Sequence, residues 1–169
     1  MSTLSLPQQP GERIEERDDI GRLVGVMYRS AAVPAGGPRI LAAVAGEHAT
    51  RHIIAPLLRW RSEFGWPFDL HLVTVVPYCS KEAAERVFVV QAGSGTAVAE
   101  ALLQEAGMAY TVHQIMGHPA AAILARADAL DARMIVMGAR DQGLVESVLL
   151  GSVAREVVAS AKVPVTLAR

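Results

Sequence analysis

Short apolar runs alternate with longer segments of helical period from residue 39 to the C-terminus. Five of these runs are nearly continuous in apolar residues, which is typical of strands that helices cover on both faces. A half-exposed antiparallel sheet would alternate apolar and polar residues more regularly. The predicted strands span residues 40–45, 70–76, 110–116, 134–137 and 163–168.

The segments between these strands have the signals of helices. Apolar residues recur at helical spacing after the first strand: Ile53, Leu57, Trp60 and Phe64. Pro56 should start, kink or interrupt that helix. A second helical pattern spans residues 96–106 and stops at Gly107, a common C-terminal signal. Pro119 occupies a first helical position, and Ser152 opens the last predicted helix.

Strands and helices therefore alternate from the first strand to the last. This order predicts an α/β fold: a doubly wound, five-stranded parallel sheet with Rossmann-like or flavodoxin-like layers. Ligands of such sheets bind at the carboxyl ends of the strands, near the point where the winding reverses. We therefore expect a binding site to include two loops, residues 45–48 and 138–151.

The first 38 residues differ in composition from the rest of the chain. They are rich in Pro, Gly, Gln and charge, and we interpret 1–38 as an arm and linker before a domain at 39–169. Four apolar arm residues fall on one helical face: Ile20, Leu23, Val24 and Met27. Residues 23–28 could instead form a strand. We expect this stripe to pack on its own or a partner subunit, with a disordered tail as the alternative.

Size and charge exclude several classes of protein. The 169 residues fit one domain with an additional end, and 16 basic against 17 acidic residues give a net charge of −1. This balance predicts no nucleic-acid partner. No apolar stretch approaches the roughly 20 residues of a membrane helix, so we expect no membrane partner. The single Cys79 cannot form an intramolecular disulfide, and with no apparent export signal we expect a cytoplasmic protein.

Candidate catalytic and metal-binding motifs are weak. His48 and His52 would share a helix face, but no zinc-protease Glu and no third ligand accompany them, so we interpret them as a solvated pair. The stretch Gly93-Ser-Gly95 lacks the Lys of a phosphate-binding loop and is interpreted as a turn into a helix. We predict no catalytic residue and no metal site.

One longer motif is more specific. Residues 137–153, MGARDQGLVESVLLGSV, resemble the signature of the universal stress protein family. The resemblance covers residues 39–169 and includes several further stretches: RILAAV at 39–44, LHLVTVVP at 70–77, GHPAAAIL at 117–124, IVMG at 135–138 and KVPVTL at 162–167. It implies a fold like that of the adenine nucleotide alpha hydrolases and a role in the stress response.

The resemblance also implies a nucleotide pocket. In nucleotide-binding members the loop reads Gly, two residues, Gly, nine residues, Gly and then Ser or Thr. Gly138, Gly151 and Ser152 match this pattern, but Asp141 stands at the second glycine, and Ala45 stands where the family has an Asp. The implied pocket, in which Val75 would lie beside adenine, consists of Ala45, Val75, Met137, Gly138, Asp141, Gly151, Ser152 and Val153.

The two departures predict weak binding of ATP. A glycine permits close approach of the backbone to phosphate, whereas Asp141 adds a side chain and a negative charge. At about 4 Å each like-charge encounter costs roughly 1 to 4 kcal/mol. Arg140, or a metal ion between Asp141 and phosphate, could offset this repulsion. No cofactor is therefore firmly predicted, and ATP or AMP with magnesium stays an alternative.

Three functions follow from this pocket. The first is a non-catalytic binding or regulatory module of the stress response with an altered nucleotide pocket. The second is a weak ATPase or self-phosphorylating protein with Ser152 as acceptor. The third is binding of a different small anionic ligand in the same cleft, such as another nucleotide or a phosphorylated metabolite. At the start of the last helix, Ser152 could cap the helix alone, or cap it while the helix start binds an anion. His118, where the family commonly has a capping acid, is interpreted as a loop residue, with weak anion binding as the alternative.

The last predicted strand has the features of a sheet edge. Pro164 is tolerated mainly at edges, and the strand is apolar apart from Thr166. We expect a homodimer that pairs these strands about a two-fold axis, an arrangement that the resemblance also implies. The residues predicted in that pairing are Val163, Val165 and Leu167. The alternative is that the arm covers this edge within a monomer.

Overall fold

The computed structural model describes residues 4–139 and 150–169. Within these ranges the chain forms one sheet with helices on both faces. The strands are β1 (Arg13–Arg17), β2 (Leu23–Arg29), β3 (Arg39–Ala43), β4 (Asp69–Val76), β5 (Tyr110–Met116), β6 (Met134–Gly138) and β7 (Val165–Ala168). The helices are α1 (Glu47–Glu63), α2 (Lys81–Val87), α3 (Gly93–Glu105), α4 (Pro119–Ala129) and α5 (Ser152–Ser160), with a π-helical turn at Phe88–Ala92 between α2 and α3.

The strand order across the sheet is β1-β2-β5-β4-β3-β6-β7. The five strands predicted from the sequence are β3 to β7, and they are all parallel, which confirms the doubly wound α/β fold. The arm adds β1 and β2 as antiparallel strands, so the sheet has seven strands rather than five. Two predicted boundaries were wrong by two residues, because β3 ends at Ala43 and β7 begins at Val165.

The winding of the sheet reverses between β3 and β6. In chain order, the five parallel strands lie third, second, first, fourth and fifth across the sheet, which is the Rossmann-type order. Ala43 of β3 and Met137 of β6 are register partners at the carboxyl ends of these strands. The chain leaves these two neighbouring strands toward different helices, and this divergence opens a crevice at the sheet edge.

Alternate residues of the parallel strands enter two separate cores. On one face, Ala42 and Leu72 pack with residues of α1 and α3, among them Leu57 and Leu103. On the other face, the core contains apolar residues of several strands and of α4 and α5, among them Leu41, Ile123, Ile135, Ala154 and Val157. Burial on both faces explains why the sequence of each parallel strand is nearly continuous in apolar residues.

The arm is a strand where the apolar stripe predicted a helix. The helical interpretation of Ile20, Leu23, Val24 and Met27 was wrong, and the alternative of a strand at 23–28 was right. Gly21 and Gly25 weaken a helix here, whereas the edge of β5 supplies a hydrogen-bonding partner along its length. The arm therefore covers the β5 edge and not the β7 edge.

An ion pair fixes the arm to the domain. Both terminal nitrogens of Arg126 on α4 donate to the carboxylate of Glu16 on β1, at 3.0 and 2.8 Å. The Arg126 side chain is only 9% exposed, and the Glu16 side chain is 31% exposed. Such a fork-to-fork pair adds geometric specificity as well as energy to the pairing of β2 with β5.

A pair of histidines lies inside the core on the α4 side of the sheet. Nδ1 of His71 on β4 is 2.8 Å from Nε2 of His113 on β5, and the two residues are 4% and 0% exposed. Burial, followed by the charges of Arg39, Arg29 and Arg126, lowers the pKa of His71 to about 4. Burial, with His71 and Arg126 nearby, holds the pKa of His113 well below its usual value. Both rings are therefore neutral at pH 7.

One helical run of the described chain passes a length and composition test for a membrane span. Residues Lys81–Glu105 form 25 continuous helical residues, and 28% of their most apolar 18-residue stretch is buried. The sequence did not predict this run as a membrane span, because Ser94, Thr96 and Glu100 interrupt its apolar residues. Phe88 and Leu103 of this run are buried in the core.

Candidate functional site

The chain turns sharply after β3. The amide of Val44 donates to the carbonyl of Val73 at 2.9 Å, which is the last bond along that strand edge. Gly46 has φ 68° and ψ 159°, a conformation that L side chains rarely adopt, and α1 begins at the next residue. Ala45 lies exposed between Val44 and Gly46, so it presents only backbone and a methyl group to the crevice edge.

The two ends of the loop after β6 are close together. Gly138 pairs with Ala168 of β7, and the amide of Gly151 donates to the carbonyl of Ala139 at 3.0 Å. Met137, one residue before this point, is buried. The loop therefore leaves and returns at the same place on the sheet edge. Asp141, predicted to weaken phosphate binding, lies outside the described residues.

Helix α5 starts at this returning end of the loop. Gly151 occupies the N-cap position with φ −58° and ψ 156°, and Ser152 is the first helical residue. The prediction that Ser152 caps the helix was therefore displaced by one residue, because Gly151 already has the extended backbone that a cap requires. Ser152 is exposed and Val153 is partly buried against the core. No acidic residue lies in the first turn of α5.

Val75 occupies the next strand along the sheet edge. It is a register partner of Ile115 and is half-buried, and its side chain packs on the core that α4 and α5 cover. The structure thus brings Ala45, Gly138 and Gly151 to one edge of the sheet, with Val75 one strand away on β4.

A second helix start lies at this edge, where the sequence favoured a loop residue at His118 and gave weak anion binding as the alternative. His118 is the extended N-cap of α4, Pro119 follows as first helical residue, and the first turn has no acid. Nδ1 of His118 lies 4.0 Å from Oε1 of Glu156 on α5, and both side chains are exposed. Pro119 marks this helix start in the sequence, because proline is common at the first helical position, next to the unpaired amides of the helix start.

The electrostatics of the edge are mixed. The starts of α4 and α5 present amide groups and the positive ends of two helix dipoles, which attract anions. Glu47 in the first turn of α1 and Glu156 on α5 supply negative charge near the same edge. Among residues 4–139 and 150–169, no group of three His, Cys, Asp or Glu side chains could hold a metal ion. The arrangement can bind a small anion through backbone amides.

The universal stress protein family model matches residues 39–169, which is every residue after the arm and linker. This chain belongs to that family. The recognition made from the signature at 137–153 is therefore confirmed. No curated protein sequence matches the chain closely enough to count as a relative.

Solved structures of universal stress proteins share the fold. The protein from Archaeoglobus fulgidus has a TM-score of 0.66 at 22% identity, covering 79% of this chain and 100% of that chain. The Archaeoglobus fulgidus protein in complex with dAMP has a TM-score of 0.61 at 21% identity, covering 80% and 99%. An Arabidopsis thaliana family protein with AMP bound has a TM-score of 0.57 at 17% identity, covering 78% and 91%.

Proposed function

We propose that this universal stress protein is a non-catalytic module of the stress response that binds an adenosine monophosphate more strongly than ATP. The observation that carries the proposal is the pair of helix starts at the carboxyl edge, α4 at His118 and α5 at Gly151, neither with an acid in its first turn. One phosphate group can be held by such amides without a basic side chain or a metal ion.

Relatives support a nucleotide of this size. Family members of the same fold have been solved with dAMP and with AMP. An adenosine monophosphate would supply one phosphate to the amides at the start of α5, and its base would extend along the carboxyl ends of the strands toward Val75. A half-buried apolar side chain such as Val75 suits a flat, largely apolar base.

The β- and γ-phosphates of ATP would meet less favourable surroundings. Asp141 adds a carboxylate where nucleotide-binding relatives have glycine, and Glu47 adds a second carboxylate at the start of α1. Each like-charge encounter at about 4 Å costs roughly 1 to 4 kcal/mol. One such encounter reduces affinity between about fivefold and several hundredfold.

Calorimetry with the intact protein tests this proposal. We expect AMP to bind more tightly than ATP with magnesium, and the double change Asp141→Gly with Ala45→Asp to strengthen ATP binding. The matched control is Asp131→Gly, which removes an exposed carboxylate distant from the crevice. Micromolar affinity for ATP in the unmodified protein, or equal gains in the control, would refute the proposed pocket.

A weak self-phosphorylating activity is the second candidate. The observation that favours it is the exposed position of Ser152 at the first helical residue of α5, beside the amides that would hold phosphate. Labelling with ATP that carries a radioactive γ-phosphate separates the two functions. The binding module incorporates no label, whereas stoichiometric labelling that disappears in Ser152→Ala would establish the enzyme.

We also propose that the protein pairs with a second copy through β7. Across the described sheet, β7 has a neighbour on one side only, and its four residues Val165–Ala168 include one hydroxyl and no charge. The opposite edge strand, β1, has the sequence RIEER, and such charges protect an edge from pairing. Val163 lies before the strand, so the pairing rests on Val165 and Leu167.

A further inference from the structure

A cavity lies at the amino ends of the parallel strands, at the opposite end of these strands from the proposed nucleotide crevice. It has a volume of about 280 Å³ and opens at the amino ends of β3, β4 and β5, where the arm returns to the domain. Its distance from the crevice is roughly the length of β4, eight residues or about 26 Å. Apolar side chains from the arm and the domain form part of its wall: Leu6, Val33, Phe68, Met108 and Tyr110.

Three arginines line this cavity with one carboxylate. Arg29 ends β2, Arg39 begins β3, and Arg61 lies in the last turn of α1. Each of them donates one side-chain hydrogen bond to a backbone carbonyl, of Gln8, Leu130 and Trp66 respectively. In the part of the chain that the structure describes, none of the three forms an ion pair with a carboxylate.

The single acidic residue of the wall is already engaged. Oδ1 of Asp69 accepts a hydrogen bond from the amide of Gly36 at 3.1 Å, so this carboxylate serves the turn that joins the arm to β3. Three guanidinium groups against one carboxylate leave the cavity with an excess of positive charge. Guanidinium groups retain unused N–H donors after one bond each, and their geometry suits carboxylate or phosphate.

His71 adds a buried polar side chain to the same wall. Its Nδ1 forms a hydrogen bond with Nε2 of His113, and its own Nε2 has no hydrogen-bond partner among residues 4–139 and 150–169. Nδ1 of His113 is the other unpartnered ring nitrogen, and it is fully buried on the side of Arg126. A cation nearby favours a lone pair at that nitrogen rather than a proton. With the proton of His113 on Nε2, Nδ1 of His71 accepts it, and the proton of the neutral His71 ring lies on Nε2. His71 is one of the residues that line the cavity.

We propose that this cavity is a binding site for a small organic anion with an apolar body. The acid group is held by Arg29, Arg39 and Arg61 with the Nε2–H of His71, and the body lies against Phe68. The arm supplies Arg29 and one apolar wall, and residues 1–38 lie outside the part matched by the family model. The cavity is therefore separate from the proposed nucleotide crevice, and part of its wall comes from the arm, which the family model does not match.

The proposal can be tested with two probes that share an aromatic body and differ in the acid group. Phenyl phosphate and benzoate are titrated into the intact protein, labelled with ¹⁵N, and the arginine side-chain and His71 ring signals are followed. We expect saturable shifts at Arg29, Arg61 and His71 with at least one probe, at low millimolar or tighter affinity. The tighter probe identifies the acid group as phosphate or carboxylate.

A matched pair of variants on α1 makes the test specific. Arg61→Gln removes a cavity arginine, and Arg59→Gln removes an exposed arginine two residues away that pairs with Glu63 outside the cavity. We expect Arg61→Gln to weaken the tighter probe by about tenfold or more, and Arg59→Gln to leave it unchanged. Circular dichroism establishes that both variants fold.

Two results would overturn the proposal: no saturable shift with either probe up to about 10 mM, or equal weakening by Arg59→Gln and Arg61→Gln. Competition with AMP separates this site from the proposed nucleotide pocket. Probe binding that AMP does not displace supports a distinct cavity whether or not AMP itself binds. Displacement by AMP in proportion to its occupancy of the crevice would contradict a distinct site.

Discussion

Acidification should destabilise this protein through the buried histidine pair. His71 and His113 share a hydrogen bond inside the core, with Arg126 nearby, so neither ring gains a proton easily in the folded state. In the unfolded chain both rings reach water and bind protons at ordinary pH values near 6.5. Since the unfolded state binds more protons, the free energy of unfolding falls as pH falls.

The size of the effect follows from the pKa of His71. Its pKa is about 4 in the fold against an ordinary value of 6.5, so stability is unaffected above pH 6.5 and decreases from there to about pH 4. At pH 5 the loss from His71 alone is about 2 kcal/mol, and near pH 4 it approaches about 3 kcal/mol. His113 acts in the same direction. A typical domain has only about 5–15 kcal/mol in total.

Urea unfolding at pH 7 and at pH 5 measures this loss. We expect His71→Gln to lose less stability than the unmodified protein between the two pH values, by about 2 kcal/mol, because glutamine does not titrate. The control is His52→Gln, which replaces a histidine on the exposed side of α1. Equal losses in the unmodified protein and in His71→Gln would show that His71 is not the acid-sensitive group.

Three further predictions concern edges, arm and loop. Val165→Lys with Leu167→Lys should convert a dimer to a monomer in light scattering, and a dimer of unchanged mass would contradict pairing through β7. Glu16→Ala leaves the buried guanidinium of Arg126 without its carboxylate partner and should lower the free energy of unfolding in urea by about 2 kcal/mol. This loss is smaller than for a fully buried ion pair because the Glu16 side chain is 31% exposed. An unchanged unfolding midpoint would count against the ion pair. Gly46→Val forces a β-branched residue to φ 68° and should lower stability by about 1–3 kcal/mol in thermal melts, whereas an unaltered melting temperature would show that the loop relaxes.

The five parallel strands could be predicted from the sequence because each of them is one contiguous run of apolar residues. A run such as residues 70–76 is short and nearly continuous in apolar residues, which is typical of a parallel strand that helices cover on both faces. The arm could not be predicted in the same way. Residues 23–28 fit a helix or a strand, and the choice depended on the edge of β5, about ninety positions later in the chain.

The crevice was only partly predictable. Gly138 and Gly151 belong to one contiguous signature, so the sequence indicated their loop, and the hydrogen bond between Gly151 and Ala139 shows how its ends meet. No contiguous motif in the sequence indicates the cavity at the amino ends of the strands. Arg29, Arg61 and His71 lie in three different elements, so only the tertiary fold brings them to one wall.

The pairing of the arm with β5 limits how far this sheet can grow. A five-stranded sheet with two exposed edges could add copies at both ends, and head-to-tail addition of that kind produces open filaments. Here the arm ends the sheet on one side with β1, whose five residues include four charges. In the described sheet β7 is then the remaining uncovered edge, and the proposed two-fold contact there would pair that edge in both copies. We therefore expect the arm to favour a closed dimer over an open filament.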